Sequence, residues 1–348
     1  METLRHTPKE QEIMTLNDRI ELLVTLGETI DHDSNMDIYG SARNNNPWFT
    51  IENIKQAIDA IKHSFLNRNK ITDWLSNYNV EPATTKTVGL VTAGNIPLVG
   101  MHDLMCIFLS GHHAMIKLSD KDTILPTYFI HKMLGLNQEI GDSIQIVDRL
   151  ENYDAVIATG SDTTGKYFEQ YFGKVPHIIR KNRNGIAVIA ESDTAESLQN
   201  IGHDLFDYFG LGCRNVSKVY LEKNVDEKLI FQSIEDHKEI IHHNKYKNNY
   251  DYTYALYLMN KEKFLTDDVL ILREHKDIAS RIACLHYERF DDRKDIEKEL
   301  NANKDKIQCV VSSEPVGEFK HFSFGQAQSP AIDDYADGVD TMDFLSNL

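Results

Sequence analysis

Of the four cysteines in this 348-residue chain, one stands where a thiol could react. Cys213 lies in "DYFGLGCRNVSKVYL", between Gly212 and Arg214, where a helical pattern gives way to a strand-like one. Glycines let a substrate approach closely, and nearby positive charge or backbone donors favour the nucleophilic thiolate. Cys106 in "LMCIFL", Cys284 in "RIACLHY" and Cys309 in "IQCVVS" have apolar neighbours, among which cysteine behaves as a small buried hydrophobe. Taken alone, the Cys213 segment also fits a structural cysteine.

Three other segments carry residues of the right type. "LVTAGNIPLVG" runs from a strand through Gly94, Asn95 and Pro97 into a helix. Asn95 there is either a turn former or an amide donor aimed into the crevice at the carboxyl ends of parallel strands. "AVIATGSDTTGKYF" reads as strand, turn and helix, with Thr159, Gly160 and Ser161 at the turn. Backbone N–H groups and hydroxyls at a helix N-terminus suit a pyrophosphate, although the turn lacks a full GxGxxG and also fits an ordinary capped connection. Lys117 ends "HAMIKLSD", where it reaches cofactor phosphate or ribose or simply solvent, and Asp120 closes the same segment. His242 and His243 have no carboxylate or cysteine at ligand spacing, so no metal is expected.

The elements that must position these residues follow from the patterning. "NPWFTIENIKQAIDAIKHSFL" has apolar residues at helical spacing after Thr50, a natural N-cap, within a helical lead-in over residues 1 to about 80. From "TVGLVTA" onward short β-type runs alternate with helical ones, which argues for βαβ units and a mostly parallel sheet. A second set follows with strands at "HIIRK", "GIAVIAE", "SKVYLE", "RIACLHYERF" and "IQCVVSS", and with helices at "TAESLQNIGHDLFDYFG" and "DRKDIEKELNANK". The length exceeds the usual limit of about 250–300 residues for one core, so a second domain is expected. A formal charge of −17 repels nucleic-acid phosphates. The start "METLRHTPKEQE" has no apolar core for a signal peptide, no stretch is long and apolar enough to span a membrane, and scattered cysteines argue against a disulfide framework. A cytoplasmic protein that binds neither nucleic acid nor membrane is the expectation.

The order and spacing of Asn95, Lys117, the "TGSDTTG" turn and Cys213 resemble the aldehyde dehydrogenase superfamily, whose "NFP", "KPSE", "TGS" and "GQxC" segments read here "GNIPL", "KLSD", "ATGSDTTG" and "GLGC". "NIPLVGMHDLMCIFLSGHHAMIKLS", "FGLGCRNVSKVYL" and "FGQAQSPAIDDYADGVDTMDFL" resemble more closely the acyl-CoA reductases related to the fatty acyl-CoA reductase of bacterial luminescence. The resemblance runs from about residue 47 onward. It implies an α/β fold with three parts: a helical lead-in and Rossmann-like NAD(P)-binding domain over residues 1–181, an α/β catalytic domain over 182–322, and a segment over 323–348 returning to the cofactor domain or an oligomer interface.

The implied function is NADPH-dependent reduction of a fatty acyl-CoA to an aldehyde, with NADH also usable. Cys213 is then the nucleophile and Asn95 the oxyanion donor, while Lys117, Asp120, Thr159, Gly160 and Ser161 meet the cofactor. A homo-oligomer and acyl-transfer partner proteins are implied as well. Two alternatives are a short-chain CoA-acylating aldehyde dehydrogenase working oxidatively and a catalytically weak scaffold subunit. Aldehyde-oxidising members carry an "ELGG" glutamate that activates water, whereas "RKNRNGIAVI" puts Arg180 at that place. Glu191 and Asp193 are then the nearest carboxylates in sequence, and Arg180, Lys181 and Arg183 form a basic cluster read as a solvated loop or a contact for the CoA nucleotide.

Overall fold

The computed structural model describes residues 14–348; the opening stretch "METLRHTPKEQE" lies outside them. The lead-in is helical at Leu16–Thr29, Met36–Asn45, Ile51–Phe65 and Arg68–Leu75. Thr50 caps the third of these by accepting the Asn53 N–H at 3.1 Å, and Ile54, Ala57, Ile58 and Ile61 form its buried face.

Five strands follow: β1 Thr87–Val91, β2 His113–Lys117, β3 Ile144–Ile146, β4 Ala155–Thr159 and β5 His177–Arg180. They pair in the order β3-β2-β1-β4-β5, all parallel, as the alternating pattern predicts for β1 to β4; the "HIIRK" run, expected with the second set, instead pairs with β4 as the last strand of this sheet. Parallel pairing brings every carboxyl end to one edge, where Val91 stands opposite both Lys117 and Ala158. Because strand order reverses around β1, the crevice opens above the loops that follow β1, β2 and β4.

The second sheet comprises β6 Asn184–Ile189, β7 Val216–Glu222, β8 Leu265–Thr266, β9 Ile271–Glu274, β10 Cys284–Phe290, β11 Ile307–Val311 and β12 His321–Phe322. Its order is β12-β11-β6-β7-β10-β9-β8, parallel except for the β8–β9 pair. Sequence patterning misses β8, β9 and β12, since two of them span only two residues and the third is an apolar run too short to show a period. In β6, Ala187 and Ile189 join one core while Ile186 and Val188 join the core on the opposite face, as expected of a strand covered on both sides.

One predicted helix needs correction. "TAESLQNIGHDLFDYFG" forms an α-helix only over Ile201–Phe206, after which Tyr208, Phe209 and Gly210 take left-handed φ values of 54°, 59° and 74°. Such a conformation costs about 1–3 kcal/mol for each non-glycine residue. Burial of both aromatic rings offsets that cost: Phe209 stacks on His243 with centroids 4.1 Å apart, and Asn215 Nδ2 donates to the Asp204 and Asp207 carbonyls at 3.2 and 2.8 Å.

The basic cluster is also corrected, because Arg180 is neither solvated nor open to a nucleotide. It is 4% exposed and bonds the Asp103 carboxylate through Nη1 and Thr341 Oγ1 through Nη2, the latter at 2.8 Å. Arg183 is paired with Asp337 at 3.3 Å, and Lys181 meets Glu169 at the surface. Asp103 belongs to the helix Met101–Leu109 and Thr341 to the helix Thr341–Ser346, so one guanidinium ties β5 to both. Around it the final residues pack into the first core: Ile332, Tyr335, Met342 and Leu345 are buried there, and Trp74 Nε1 donates to Tyr335 Oη at 2.9 Å. No helix among the described residues is long and apolar enough to cross a membrane.

Removing one member of a buried ion pair leaves the other charge uncompensated, at a cost of about 3–5 kcal/mol. Asp103→Ala is therefore expected to lose that much stability in urea unfolding, and Asp103→Leu combined with Arg180→Met to recover most of it. Equal losses in the single and double variants would contradict this account.

Candidate active site

The connection from β5 to β6 covers only residues 181–183, so the carboxyl edge of the first sheet adjoins the amino edge of the second. Cys213 precedes β7 on that amino edge, and Asn95 follows β1 on that carboxyl edge. The two loops meet: Asn95 Nδ2 donates to Leu211 O at 2.7 Å, two residues before the thiol.

Each loop is held from outside. Gly212 N–H donates to Asn215 Oδ1 at 2.8 Å, and a Cβ on Gly212 would lie 2.8 Å from that same oxygen, so the close approach requires glycine. The buried Asp204 carboxylate accepts the Gly325 and Ala327 N–H groups at 2.5 and 2.9 Å, joining the Cys213 loop to the "FGQAQS" stretch. The loop after β1 is tied by Asn46, whose Nδ2 donates to Gly94 O at 3.4 Å and Lys121 O at 3.3 Å. Asp122 accepts the Leu98 N–H at 2.7 Å. None of Asn46, Asp122, Asp204 and Asn215 is a site residue by sequence reasoning. Asn215 alone had a signal, since it falls within the stretch that singles out Cys213.

Cys106, Cys284 and Cys309 are buried and Cys213 is half-buried, which leaves it the most accessible of the four thiols. Burial pushes the Cys213 thiol above its ordinary value; Arg214 pulls it down, and the Asp337 carboxylate adds to the rise. Arg214 lowers it incompletely because its guanidinium is already paired with Asp334 at 2.9 Å. The resting group is a thiol rather than a preformed thiolate. Glu191 and Asp193 sit beyond the carboxyl end of β6, at the far edge of the second sheet from Cys213. Along a parallel strand their nearness in sequence does not become nearness in space. The Asp193 carboxylate caps Ala190 N–H at 2.8 Å and Glu191 holds Asn224 Nδ2 at 2.7 Å.

The remaining residues line the carboxyl edge of the first sheet. Ser161 caps the helix Asp162–Phe172 by accepting the Thr164 N–H at 3.2 Å, with Thr159 at the end of β4 and Gly160 between them. The first-turn N–H groups of a helix lack intrahelical partners and carry its positive dipole end, which favours an anion there. Lys117 ends β2 with Nζ donating to Asp148 O at 2.9 Å, and Asp120 is exposed. Thr123, before the helix Ile124–Leu136, makes no side-chain cap. Among the described residues no group of three or more His, Cys, Asp or Glu side chains could hold a metal. His243 instead caps the helix Asn244–Met259 and meets Pro47 O at 3.0 Å.

Comparison with solved structures gives aldehyde dehydrogenases. Aldehyde dehydrogenase 21 from Physcomitrella patens, in complex with the reaction product succinate, superposes with a TM-score of 0.70 at 11% identity, covering 96% of this chain and 84% of that one. The aldehyde dehydrogenase KauB from Pseudomonas aeruginosa gives 0.64 at 10% identity, with 86% and 72% covered. The P. syringae indole-3-acetaldehyde dehydrogenase AldA, in complex with NAD+ and IAA, gives 0.63 at 10% identity, with 86% and 72% covered. At these identities the likeness is one of fold. No curated protein matches the chain. The family model described as Acyl-CoA reductase (LuxC) matches residues 43–235, a span that includes Asn95, the Thr159–Ser161 turn and Cys213. With more than half of its length matched, the chain belongs to the acyl-CoA reductase (LuxC) family, oxidoreductases acting on an aldehyde/acyl-CoA pair.

Proposed function

We propose that the protein reduces a fatty acyl-CoA to its aldehyde through a thioacyl intermediate on Cys213, with NADPH as the preferred reductant and NADH also usable. The observation that carries this reading is the hydrogen bond from Asn95 Nδ2 to Leu211 O, which holds an amide donor from one sheet beside the nucleophile loop of the other. Cys213 loses its proton and attacks the thioester carbonyl. The carbonyl oxygen becomes an oxyanion, met by the second N–H of Asn95 Nδ2 while the first stays on Leu211 O, together with the Cys213 N–H. Collapse breaks the C–S bond to coenzyme A, whose thiolate takes up a proton and leaves Cys213 acylated.

The residues present fit a nicotinamide dinucleotide. The capped helix N-terminus at Ser161 suits a pyrophosphate, and Lys117 and Asp120, at the end of β2 and just after it, lie two strands away on the same sheet edge. When bound there, the cofactor supplies hydride to the acyl carbon. Asn95 again stabilises the oxygen, and the resulting thiohemiacetal alkoxide collapses to the aldehyde, expelling the Cys213 thiolate, which takes up a proton from solvent. The AldA relative is described in complex with NAD+, which agrees with a nicotinamide cofactor. Arg180 in place of a water-activating glutamate, and locked to Asp103, favours transfer to and from a thiol over hydrolysis. Residues 1–181 in this reading bind the cofactor, 182–322 carry the nucleophile and 323–348 fasten the two.

Acyl-CoA added without cofactor is expected to leave one acyl adduct, on the Cys213 peptide, by mass spectrometry. Because burial raises the thiol, acylation should speed up severalfold per pH unit between 7 and 9. A thioester on another cysteine in Cys213→Ser would overturn the assignment.

Loss of one oxyanion donor typically costs about 100- to 1000-fold in turnover. A folded Asn95→Ala protein should show that loss in steady-state reduction, with nearly normal turnover leaving Asn95 a turn former.

For the cofactor, Asp120 is exposed and free to turn from a 2′-phosphate, so kcat/KM is expected to be higher with NADPH. A preference for NADH above about tenfold, near 1.4 kcal/mol, would mean that Asp120 holds the ribose hydroxyls.

A further inference from the structure

Leu98, three residues beyond Asn95, has a left-handed φ of 58°. A leucine in that conformation costs about 1–3 kcal/mol and persists only where its surroundings impose it. The group that imposes it is Asp122, from the loop after β2, whose Oδ2 accepts the Leu98 N–H at 2.7 Å. Asp122 is 3% exposed, and its Oδ1 has no hydrogen-bond partner. It faces a small cavity walled by Leu90, Met101, Leu104, Ile116, Pro126 and Ile130. A carboxylate in such a setting is costly unless it is needed.

We propose that Asp122 is a positioning residue: its carboxylate fixes the left-handed turn at Leu98 and thereby aims the Asn95 amide at the Cys213 loop. The inference rests on the reading of Asn95 as the oxyanion donor.

Among the described residues no cation is paired with this carboxylate. On the helix Met101–Leu109, His102 meets Ile332 O at 2.8 Å and Asp103 is taken by Arg180. On the helix Ile124–Leu136, His131 is exposed and Lys132 Nζ donates to Thr29 O at 3.1 Å. Lys121, the next residue back, is exposed, as are Asp120 and Lys117. Burial therefore pushes the Asp122 carboxyl up to about 7, with the Leu98 N–H pulling the other way. Above that pH the group is the charged acceptor that holds the turn; below it the proton weakens the hold. The turn thus carries its own acid limit.

The test uses the full chain, acylated beforehand by acyl-CoA without cofactor and then mixed with NADPH while cofactor absorbance is followed. Starting from the acyl-enzyme removes ionisation of the Cys213 thiol from the readout. Asp122→Leu, which removes the acceptor and keeps an apolar wall, should slow this reduction about 10- to 100-fold, the usual effect of a donor displaced by about 1 Å. Acyl-CoA KM should change little, the Leu98 amide should lose protection in hydrogen exchange, and the loss should nearly vanish on an Asn95→Ala background. Asp122→Asn keeps an acceptor without a charge. Like the protonated acid, it should run at the wild type's low-pH rate throughout and lack the fall in rate seen in the wild type as pH drops through about 7.

A folded Asp122→Leu with Leu98 still protected and full rate overturns the proposal. So does an Asp122→Leu loss that is as large with Asn95→Ala as without it, which would mean that the effect does not pass through Asn95. If Asp122→Leu does not fold, the acid limb decides, and its persistence in Asp122→Asn overturns the proposal. An Asn95→Ala protein that reduces the acyl-enzyme at full rate overturns the oxyanion reading and this proposal together, whereas a slow Asn95→Ala beside an unimpaired Asp122→Leu overturns this proposal alone.

Discussion

A guanidinium taken out of water must find a carboxylate, and in this chain that requirement falls on Arg180 at the last residue of β5. Its partner, Asp103, sits in the first turn of the helix that follows the Asn95 loop, and its second bond reaches Thr341 near the other end of the chain. Three elements distant in sequence are therefore fixed around one charge, only a few residues from where the first sheet hands over to the second.

The site itself is a product of topology. In two parallel sheets joined by a connection as short as 181–183, the carboxyl edge of one must face the amino edge of the other. The Asn95 and Cys213 loops meet because each lies on the edge that faces the other, and they are held by buried acceptors, Asp122 on one side and Asp204 with Asn215 on the other. Burial explains the electrostatics as well. It raises the Cys213 thiol, while Arg214, the cation beside it, is occupied by Asp334.

Most of the strand–helix alternation was legible, because parallel strands buried on both faces leave apolar runs such as "TVGLV" and "GIAVI" that local periodicity detects. The kink at Tyr208–Gly210 was not, since helical spacing continues through it and only tertiary stacking of Phe209 on His243 reverses the backbone. Among candidate site residues, Asn95 and Cys213 stand out through the joint pattern that carries the family resemblance, since each segment alone also fits a turn former or a structural cysteine. Asp122 and Asn46 do not, because each acts through backbone groups of a loop distant in sequence, and an aspartate or asparagine in a polar loop has no local mark of burial. Arg180 was misread for the same reason: three basic residues in a row of polar ones look solvated until Asp103 is brought to them.

The closing of the first core by Met342 and Leu345 has a consequence for how the chain is made. A ribosome completes β5 at Arg180 but does not deliver Leu345, whose carbonyl accepts the His112 Nε2–H at 3.0 Å, until the whole second sheet has emerged. At 5–20 residues per second that interval is roughly ten to thirty seconds. During it the helix Met101–Leu109 shows the nascent chain's surroundings an apolar face with no cover, and Arg180 has only one of its two partners. The sheet made first is thus the one finished last, and its dependence on chaperones during synthesis should exceed that of the sheet made after it.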